Sequence, residues 1–281
     1  DRIRAIVNQS SAPLNHDEAE IAGYRDALNE IHTGYASISF QESSVLHLHE
    51  IMLRYTGSPQ GGRYKTEDNV ILAVDANGRR SVRFRPTPAA ETQAAMEQLI
   101  LAYRDAHSES GIHPLLLIPC VILDFLCIHP FHDGNGRMSR LLSLLLLYQA
   151  GYDVGKYVSF EEQINRRKGA YYEALQLSSN GWTTNENTYG ASMENFLFTL
   201  FLCYQVLDKR FSTVGNKRAT KKARIEATVL GSLTPLSKAE LCTMHPDISP
   251  TTVEAVLGAM VKDRRIVRIG AARNSKYMKK P

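Results

Sequence analysis

The 281-residue chain has the composition of a soluble globular protein, with 43% hydrophobic residues, 22% charged residues and a net charge of +4. Its apolar run at residues 141–148 is too short to span a bilayer, and no signal-peptide pattern is visible. These features exclude a protein anchored by transmembrane helices. We expect a cytoplasmic protein with no membrane partner.

Charge divides the chain more clearly than composition does. From Lys209 onward there are 16 Lys and Arg against 5 Asp and Glu, which leaves 17 basic and 24 acidic residues before that point. An acidic body is therefore followed by a basic tail. We expect two domains, residues 1–212 and residues 213–281, in a mainly α fold.

The acidic body is predicted to begin with helices. Apolar residues recur at helical spacing in residues 17–32 and in residues 43–55. Ser43 and Ser44 are suitable N-caps for the second of these helices. The body is therefore predicted to be mainly helical up to the next change of pattern.

A single β-hairpin is predicted after these helices. Residues 70–74 and 81–84 have the composition of strands, and Asn77-Gly78 between them is typical of a tight hairpin turn. A lone hairpin in a helical protein can simply cover the edge of a core. It can also offer its free edge to a strand of another chain.

The richest chemistry lies in the segment from His129 to Arg140. It has the sequence His-Pro-Phe-His-Asp-Gly-Asn-Gly-Arg-Met-Ser-Arg and follows an apolar helical stretch, residues 115–128. Pro130 is expected to end that helix, because the residue before a proline is disfavoured in the α region. His129 is therefore predicted to lie at a helix exit, facing a loop.

The second half of this segment predicts an anion site. The glycines of Gly134-Asn135-Gly136 allow positive φ angles that turn backbone N–H groups to one side, and Arg137 is predicted to begin a helix that stops near Gly151. Arg137 and Arg140 are three residues apart, so they share a helix face and can both reach phosphate oxygens. Asp133 is the only carboxylate in the loop, and one carboxylate beside phosphates is a common Mg²⁺ site.

This segment resembles the signature of the Fic/DOC family, His-x-Phe-x-Asp/Glu-Gly-Asn-Gly-Arg-x-x-Arg, at every position that the signature fixes. Most members transfer AMP from ATP to a hydroxyl of a target protein. The resemblance implies a Fic helical bundle with a β-hairpin flap, here at about residues 62–86, and the motif at residues 129–140. An isolated histidine would more often cap a helix, but packing alone rarely produces the whole set.

The resemblance also implies a role for each motif residue. His129 would be the general base for a Ser, Thr or Tyr hydroxyl, Asp133 would hold Mg²⁺, and Phe131 would anchor the loop in the core. The phosphates of ATP would be held by Gly134, Asn135, Gly136, Arg137 and Arg140. Such a set suits phosphoryl-type transfer, which needs positioning and charge neutralisation more than covalent chemistry.

Downstream of the motif, residues 165–172 resemble the family segment whose tyrosines help to form the nucleoside pocket. One of Tyr171 and Tyr172 would then contact adenine. The alternative is that both are core aromatics on a helix. Residues 192–207 are predicted to form the last helix of the body.

The basic tail has three helix-prone segments, residues 217–230, 237–244 and 249–262, followed by two predicted strands, residues 266–269 and 275–277. Three short helices and a hairpin resemble a winged helix-turn-helix domain, with the third helix in the recognition-helix place. Several Fic proteins carry such a domain at this end.

The predicted wing is basic enough to contact DNA phosphates. The candidate contacts are Arg264, Arg265, Arg268, Arg273 and Lys276. The alternative is a winged-helix module that is used only for packing or for protein contact, because a basic patch is compatible with DNA binding without proving it.

The four cysteines, Cys120, Cys127, Cys203 and Cys242, lie among apolar residues without a CxxC pair, and we expect buried free thiols. Cys242 and His245 have a metal-like spacing. Without a second pair, a zinc site is not predicted.

Many Fic proteins are held inactive by a helix with the pattern Ser/Thr-x-x-x-Glu-Gly/Asn, whose glutamate pairs with the second arginine of the motif. Only Thr87 and Glu91 have the Ser/Thr-to-Glu spacing here, and they follow the hairpin. The resemblance therefore places the inhibitor before Asp1 or on a separate antitoxin. Without it, Arg140 would be free for the γ-phosphate.

The leading hypothesis is a bacterial, Mg²⁺-dependent protein adenylyltransferase whose target docks on the flap. A second hypothesis is a DNA-binding regulator whose Fic body senses a nucleotide or forms a homodimer. A third keeps the enzyme but uses another nucleotide or phosphate donor.

Overall fold

The computed structural model describes residues 2–9, 11–74, 78–109, 111–215, 220–232, 234–270 and 275–280. The chain divides into two units. The first consists of Asp1–Asp153 and Phe160–Leu200, and the second of Val154–Ser159 and Phe201–Pro281. The fold is mainly α, as predicted. The predicted domain boundary after residue 212 stays a prediction.

The first unit is built from helices and one hairpin. Its helices are α1 (Arg2–Val7), α2 (His16–Gly34), α3 (Glu42–Leu53), α4 (Thr92–Glu109), α5 (Pro114–Ile128), α6 (Asn135–Gln149), α7 (Phe160–Arg166) and α8 (Lys168–Ser179). The hairpin strands are β1 (Ile71–Val74) and β2 (Arg80–Phe84), and helix α9 (Gly190–Gly215) begins in this unit.

Helices α5 and α6 form the centre of the first unit. Every residue of α6 from Leu141 to Tyr148 is buried, as expected for a helix that is apolar on nearly all sides. Helix α5 begins with Pro114 in its first turn, where a missing N–H costs nothing, and it ends before Pro130 as predicted. The two helices therefore bring the motif loop between them to the edge of the core.

Three predicted helix boundaries are wrong. Helix α6 begins at Asn135 rather than Arg137, because Gly134 takes the left-handed N-cap position. The N-cap of α3 is Gln41 rather than Ser43 or Ser44. Helix α9 continues to Gly215, beyond the predicted end at residue 207.

Strands β1 and β2 pair antiparallel as predicted, with a register shift between Ile71 and Leu72. The predicted turn residue Asn77 lies outside the described residues. Leu72 and Val82 expose about half of their surface, 48% and 50%. The hairpin therefore presents apolar side chains to solvent beside its unpaired strand edges.

The second unit has its own core. Its helices are α10 (Lys221–Gly231), α11 (Lys238–Met244) and α12 (Pro250–Lys262), and its strands β3 (Leu236–Ser237), β4 (Ile266–Ile269) and β5 (Lys276–Lys279) form a sheet in the order β3-β5-β4. Ile225, Leu241, Val253 and Leu257 are among its buried core residues. The predicted order of three helices and a terminal hairpin is present, while the winged-helix assignment stays a prediction.

The cysteines are free thiols where the structure describes them. Cys127 and Cys203 are buried, but Cys120 and Cys242 are only half-buried, so the prediction of four buried thiols is wrong for these two. Across the described parts of the chain, no helix has both the length and the apolar character needed to cross a membrane.

Candidate active site

The motif loop is fastened to the core by two of its own residues. Phe131 is fully buried, where its ring stacks on that of His49 at a centroid distance of 3.6 Å. The side chain of Asn135 accepts a hydrogen bond from the Phe131 N–H at 2.9 Å and donates one to the Phe131 carbonyl at 2.7 Å. Because these bonds engage both ends of its amide, the Asn135 side chain holds the loop closed onto Phe131.

His129 occupies a strained and well-defined position at the end of α5. It has a left-handed backbone, with φ 52° and ψ 59°. Its Nδ1–H donates to the Leu126 carbonyl at 3.1 Å, which leaves the Nε2 lone pair free to accept a proton. Burial lowers the pKa of His129, and the charge of Lys65 lowers this pKa further. Both effects favour the neutral imidazole, which is the form that a general base requires.

The N-terminus of α6 is open. Gly134 stands at the N-cap with φ 82°, and no side chain caps the helix. The N–H groups of Asn135, Gly136 and Arg137 belong to the first turn, where a helix has no internal acceptor for them. An uncapped first turn is a ready anion site. The predicted run of positive φ angles is wrong, since only Gly134 of the three loop residues adopts one.

Sequence reasoning missed His49, which supports this end of the loop. Its Nε2–H donates to the Asp133 carbonyl at 3.1 Å, and its Nδ1 accepts from the Gly62 N–H at 3.1 Å. Burial lowers the pKa of His49 to about 4, so the ring is neutral at physiological pH. His49 thus ties α3 to the motif. A histidine on an apolar helix gives no sequence signal for such a role.

The two motif arginines are held by acidic side chains from elsewhere in the first unit. Arg137 pairs with Asp133 at 2.8 Å and with Glu20 of α2 at 2.9 Å. Arg140 donates through Nε to Glu161 of α7 at 2.8 Å. The expectation that Arg140 would be free is therefore wrong for this structure, because its guanidinium already donates a hydrogen bond to Glu161.

A third group joins the Arg140 pair. The hydroxyl of Tyr24, on α2, lies within hydrogen-bonding reach of both Arg140 and Glu161, and burial raises the pKa of Tyr24. The neutral phenol can donate to Glu161 while Arg140 stays charged. The pair is thus buried on one side by α2.

A cavity of about 370 Å³ adjoins the motif. His129, Gly136, Arg140, Tyr171 and Tyr172 all line it, together with residues of the hairpin. Both tyrosines therefore border the same space as the motif. The guanidinium of Arg83, on β2, lies over the Tyr172 ring at 5.1 Å from its centroid and donates to the Tyr172 carbonyl.

Residues 39–147 match the Fic/DOC family. The matched span runs from just before α3 to the last turns of α6 and includes the hairpin and the motif.

The chain contains a Fic/DOC domain.

Curated relatives point the same way. The chain is 28% identical over 163 residues to proteins named protein adenylyltransferase Fic from Drosophila yakuba and Drosophila melanogaster, matching 58% of this chain and 30% of each relative. The match thus spans less than a third of the length of these relatives.

Solved structures share the fold of the Fic domain. A Fic family protein from Desulfovibrio desulfuricans aligns over 99% of this chain and 80% of its own, with a TM-score of 0.55 and 21% identity. A Fic-1 fragment from C. elegans aligns over 75% of this chain and 58% of its own, with a TM-score of 0.57 and 17% identity. At these identities the likeness concerns the fold alone.

The residues of the Fic motif fit a divalent cation held jointly with phosphates. Among the described residues, no group of three or more His, Cys, Asp or Glu side chains could hold a metal ion without a ligand's help. Asp133 exposes 64% of its side chain beside the open end of α6. One carboxylate with phosphate oxygens and water is the usual arrangement for Mg²⁺.

The predicted DNA contacts lie in the second unit, outside the Fic domain. Arg264 is exposed, whereas Arg265 pairs with Glu226 at 2.8 Å and Arg268 donates to the Ser275 hydroxyl at 2.8 Å. Lys276 lies on β5 and is partly buried. Arg273 lies outside the described residues.

His245 shows why its spacing to Cys242 does not indicate a metal site. Its ring Nε2 is 2.8 Å from the hydroxyl of Thr228, and the side chain is buried. A buried histidine with a hydrogen-bond partner is explained by packing in the second unit.

Proposed function

We propose that the chain transfers AMP from ATP to a Ser, Thr or Tyr hydroxyl of a target protein. The observation that supports this most is the cavity shared by His129, Gly136 and Arg140 at the open end of α6. A base beside an anion site is the combination that phosphoryl-type transfer needs. The names of the curated relatives support AMP as the transferred group.

ATP would bind through its phosphates at the first turn of α6. The backbone N–H groups of Gly134, Asn135 and Gly136 would hold the α- and β-phosphates, where the helix dipole also favours negative charge. Arg137 and Arg140 would hold the β- and γ-phosphates as planar donors. Arg140 would then exchange Glu161 for a phosphate, which carries more negative charge.

Asp133 would hold Mg²⁺ together with the phosphate oxygens. When bound, the ion would supply neutralisation of the charge that builds up on the phosphates. The carboxylate can serve this role because most of it is exposed and its present partner, Arg137, would itself turn to a phosphate.

His129 would take the proton of the target hydroxyl on Nε2. The hydroxyl oxygen forms a bond to the α-phosphorus, the bond from that phosphorus to the bridging oxygen breaks, and pyrophosphate leaves with the bond electrons. The Leu126 carbonyl keeps the correct tautomer by accepting a hydrogen bond from Nδ1–H. The proton on Nε2 is then lost to solvent.

The nucleoside and the target would lie on either side of the hairpin. Tyr171 and Tyr172 border the phosphate cavity and would supply the aromatic surface for adenine. The target would add a strand to the exposed edge of the hairpin, where Leu72 and Val82 provide apolar contact.

The test compares the full chain with its His129→Ala variant, each incubated with Mg²⁺ and a lysate. ATP labelled at the α-phosphate should label protein only when His129 is present, because the base is lost in the variant. ATP labelled at the γ-phosphate should give no label beyond that of the lysate alone, since pyrophosphate leaves. Labelling by the γ-phosphate alone would indicate a kinase instead, and equal labelling by the variant would refute His129 as the base.

A second candidate function is DNA binding by the second unit. It is favoured by the excess of basic residues after Lys209 and by the exposure of Arg264. Against it, α12 carries Glu254 and no Lys or Arg before Lys262. DNA binding that weakens steeply with salt and with Arg264→Ala, but not with His129→Ala, would support this function.

A further inference from the structure

A short segment ahead of the hairpin holds the carbonyl groups on both sides of His129. We refer to residues 65–69 as the strap. The backbone N–H of Lys65 donates to the Pro130 carbonyl at 2.8 Å, and its Nζ donates to the Ile128 carbonyl at 3.1 Å. One residue thus holds the peptide group before the base and the carbonyl of the residue after it.

Other residues of the strap also form hydrogen bonds with the motif loop. Asn69 accepts from Lys65 Nζ at 2.9 Å and donates through Nδ2 to the Phe131 carbonyl at 3.1 Å. The N–H of Thr66 donates to the ring of His132 at 3.2 Å. The strap therefore bonds to residues 128, 130, 131 and 132, which are all the residues from 128 to 132 except His129 itself.

These bonds matter because His129 is not in a relaxed conformation. A left-handed backbone at a residue other than glycine costs about 1–3 kcal/mol and persists only where its surroundings over-determine it. The Phe125 carbonyl accepts the His129 N–H at 2.9 Å, and Lys65 binds the carbonyls of Ile128 and Pro130. Together they leave the base a single orientation toward the cavity.

Lys65 is suited to this task by its burial. It is 3% exposed, and burial lowers its pKa to about 8 although Asp68 opposes this. Its charge therefore acts on His129 with little screening by water. The other charged or titratable side chains near His129 are those that line the cavity with it, Arg83, Cys127, Arg140, Tyr171 and Tyr172.

The strap also leads directly into the hairpin, since β1 begins at Ile71, two residues after Asn69. A target strand that pairs with the hairpin would therefore pull on the same segment that fixes the base. Only the rest of the strap and Val70 separate Lys65 from the first residue of β1.

We propose that Lys65 is a positioning residue for the transfer reaction, which holds His129 in its left-handed conformation through the carbonyls of Ile128 and Pro130. This inference rests on the proposed function in one respect, the use of His129 as the base. The bonds on which it depends exist whether or not the chain transfers AMP.

The experiment uses the full chain carrying Lys65→Met, Lys65→Arg or, as a matched control, Lys222→Met on the exposed face of α10. We expect Lys65→Met to lower the rate of labelling at saturating ATP about a hundredfold, the size of effect that a small misplacement of a catalytic group produces. The ATP concentration for half-maximal rate should stay unchanged. Lys65→Arg keeps the charge and a donor, so it should recover most of the rate.

Two pH measurements separate positioning from a general loss of structure. Without the nearby charge, the pKa of His129 should rise, so the acid limb of the rate profile of Lys65→Met should move to higher pH. NMR of histidine-labelled protein without nucleotide should show the same shift in the His129 ring. If Lys65→Met fails to fold, Asn69→Ala, which removes a partner of Lys65 from a half-buried site, should show a smaller loss of rate at unchanged half-saturating ATP.

The outcomes distinguish the two ideas. Wild-type rate and wild-type His129 titration in a folded Lys65→Met variant, or in Asn69→Ala where that variant is used, would overturn the positioning role. If the wild-type chain labels nothing but the His129 titration still shifts in Lys65→Met, positioning stands and the proposed function fails.

Discussion

The N-terminus of α6 differs from those of α11 and α12 in whether a side chain caps the first-turn N–H groups. Ser237 caps α11 in a capping box with Glu240, and Ser249 caps α12 by accepting the Thr252 N–H. Gly134, at the corresponding place in α6, has no side chain with which to cap. These two helix ends of the second unit are closed by their own side chains, while the end in the motif gives up only a few tenths of a kcal/mol of capping and leaves its N–H donors open.

The open end of α6 is supported from outside the helix instead. Asn135 closes the loop onto Phe131, and His49 accepts and donates one hydrogen bond each to hold Gly62 and Asp133. Neither residue blocks the first-turn N–H groups. The side chains that support the loop are thus separate from the backbone N–H groups that stay open.

The largest expected effect comes from adding a methyl group at the open end. A Cβ on Gly134 would lie 2.4 Å from the Met52 Cε, and Met52 is fully buried, so its side chain has little room to move. With the left-handed backbone, we expect Gly134→Ala to lower the free energy of unfolding by about 3 kcal/mol and to abolish ATP binding. Urea unfolding and titration with ATP measure the two effects.

Gly151 provides the matched control. It has a similar φ of 87°, but nothing lies within 4 Å of a Cβ built there. Gly151→Ala should therefore cost only the left-handed strain, about 1 kcal/mol, and leave ATP binding intact. Equal losses for the two variants would show that the contact with Met52 is unimportant.

A smaller effect is expected one turn further along α6, at Arg140. The guanidinium of Arg140 donates a hydrogen bond to Glu161, so the arginine that follows the open end already has an acidic partner. Glu161→Gln should release Arg140 and remove a negative charge near the phosphates, and ATP should bind about three- to tenfold more tightly. Calorimetric titration of ATP measures the change.

Glu162 supplies the control for this prediction, since it pairs with Arg166 rather than with a motif residue. Glu162→Gln should leave the affinity for ATP unchanged. Weaker binding by Glu161→Gln would mean that Glu161 holds Arg140 in the binding position rather than competing for it.

The smallest expected effect is at a capped end. Ser249→Ala should lower the stability of the second unit by about 1 kcal/mol, because the Thr252 N–H loses its acceptor. Hydrogen exchange at the Thr252 amide should become faster, and ATP affinity should not change. A change in ATP affinity would contradict the separation of supporting and binding helix ends.

Local sequence patterns were sufficient for the motif itself. Pro130 ends α5 and leaves His129 at its exit, and strand composition on both sides of Gly78 predicts the paired strands of the hairpin. Each of these features depends on residues that are close to each other in the sequence. Such local preferences act before any tertiary contact forms.

The partners of the motif could not be predicted in the same way. His49, Lys65 and Glu161 reach the motif from segments that are distant in sequence or lie on another helix. Their residue types are common on helices and loops, so only the folded chain shows which of them meet the motif. The same holds for the start of α6, where a left-handed Gly134 sets the boundary two residues earlier than composition suggests.

The unpaired edge of the hairpin has a consequence for the behaviour of the protein at high concentration. Exposed strand edges beside Leu72 and Val82 would invite two copies of the chain to join edge to edge. Strand β2 and its flank carry Arg80 and Arg85 at exposed positions, so two copies that approach through this edge bring like charges together. The arginines would thereby oppose self-association and would leave the edge available for a different chain.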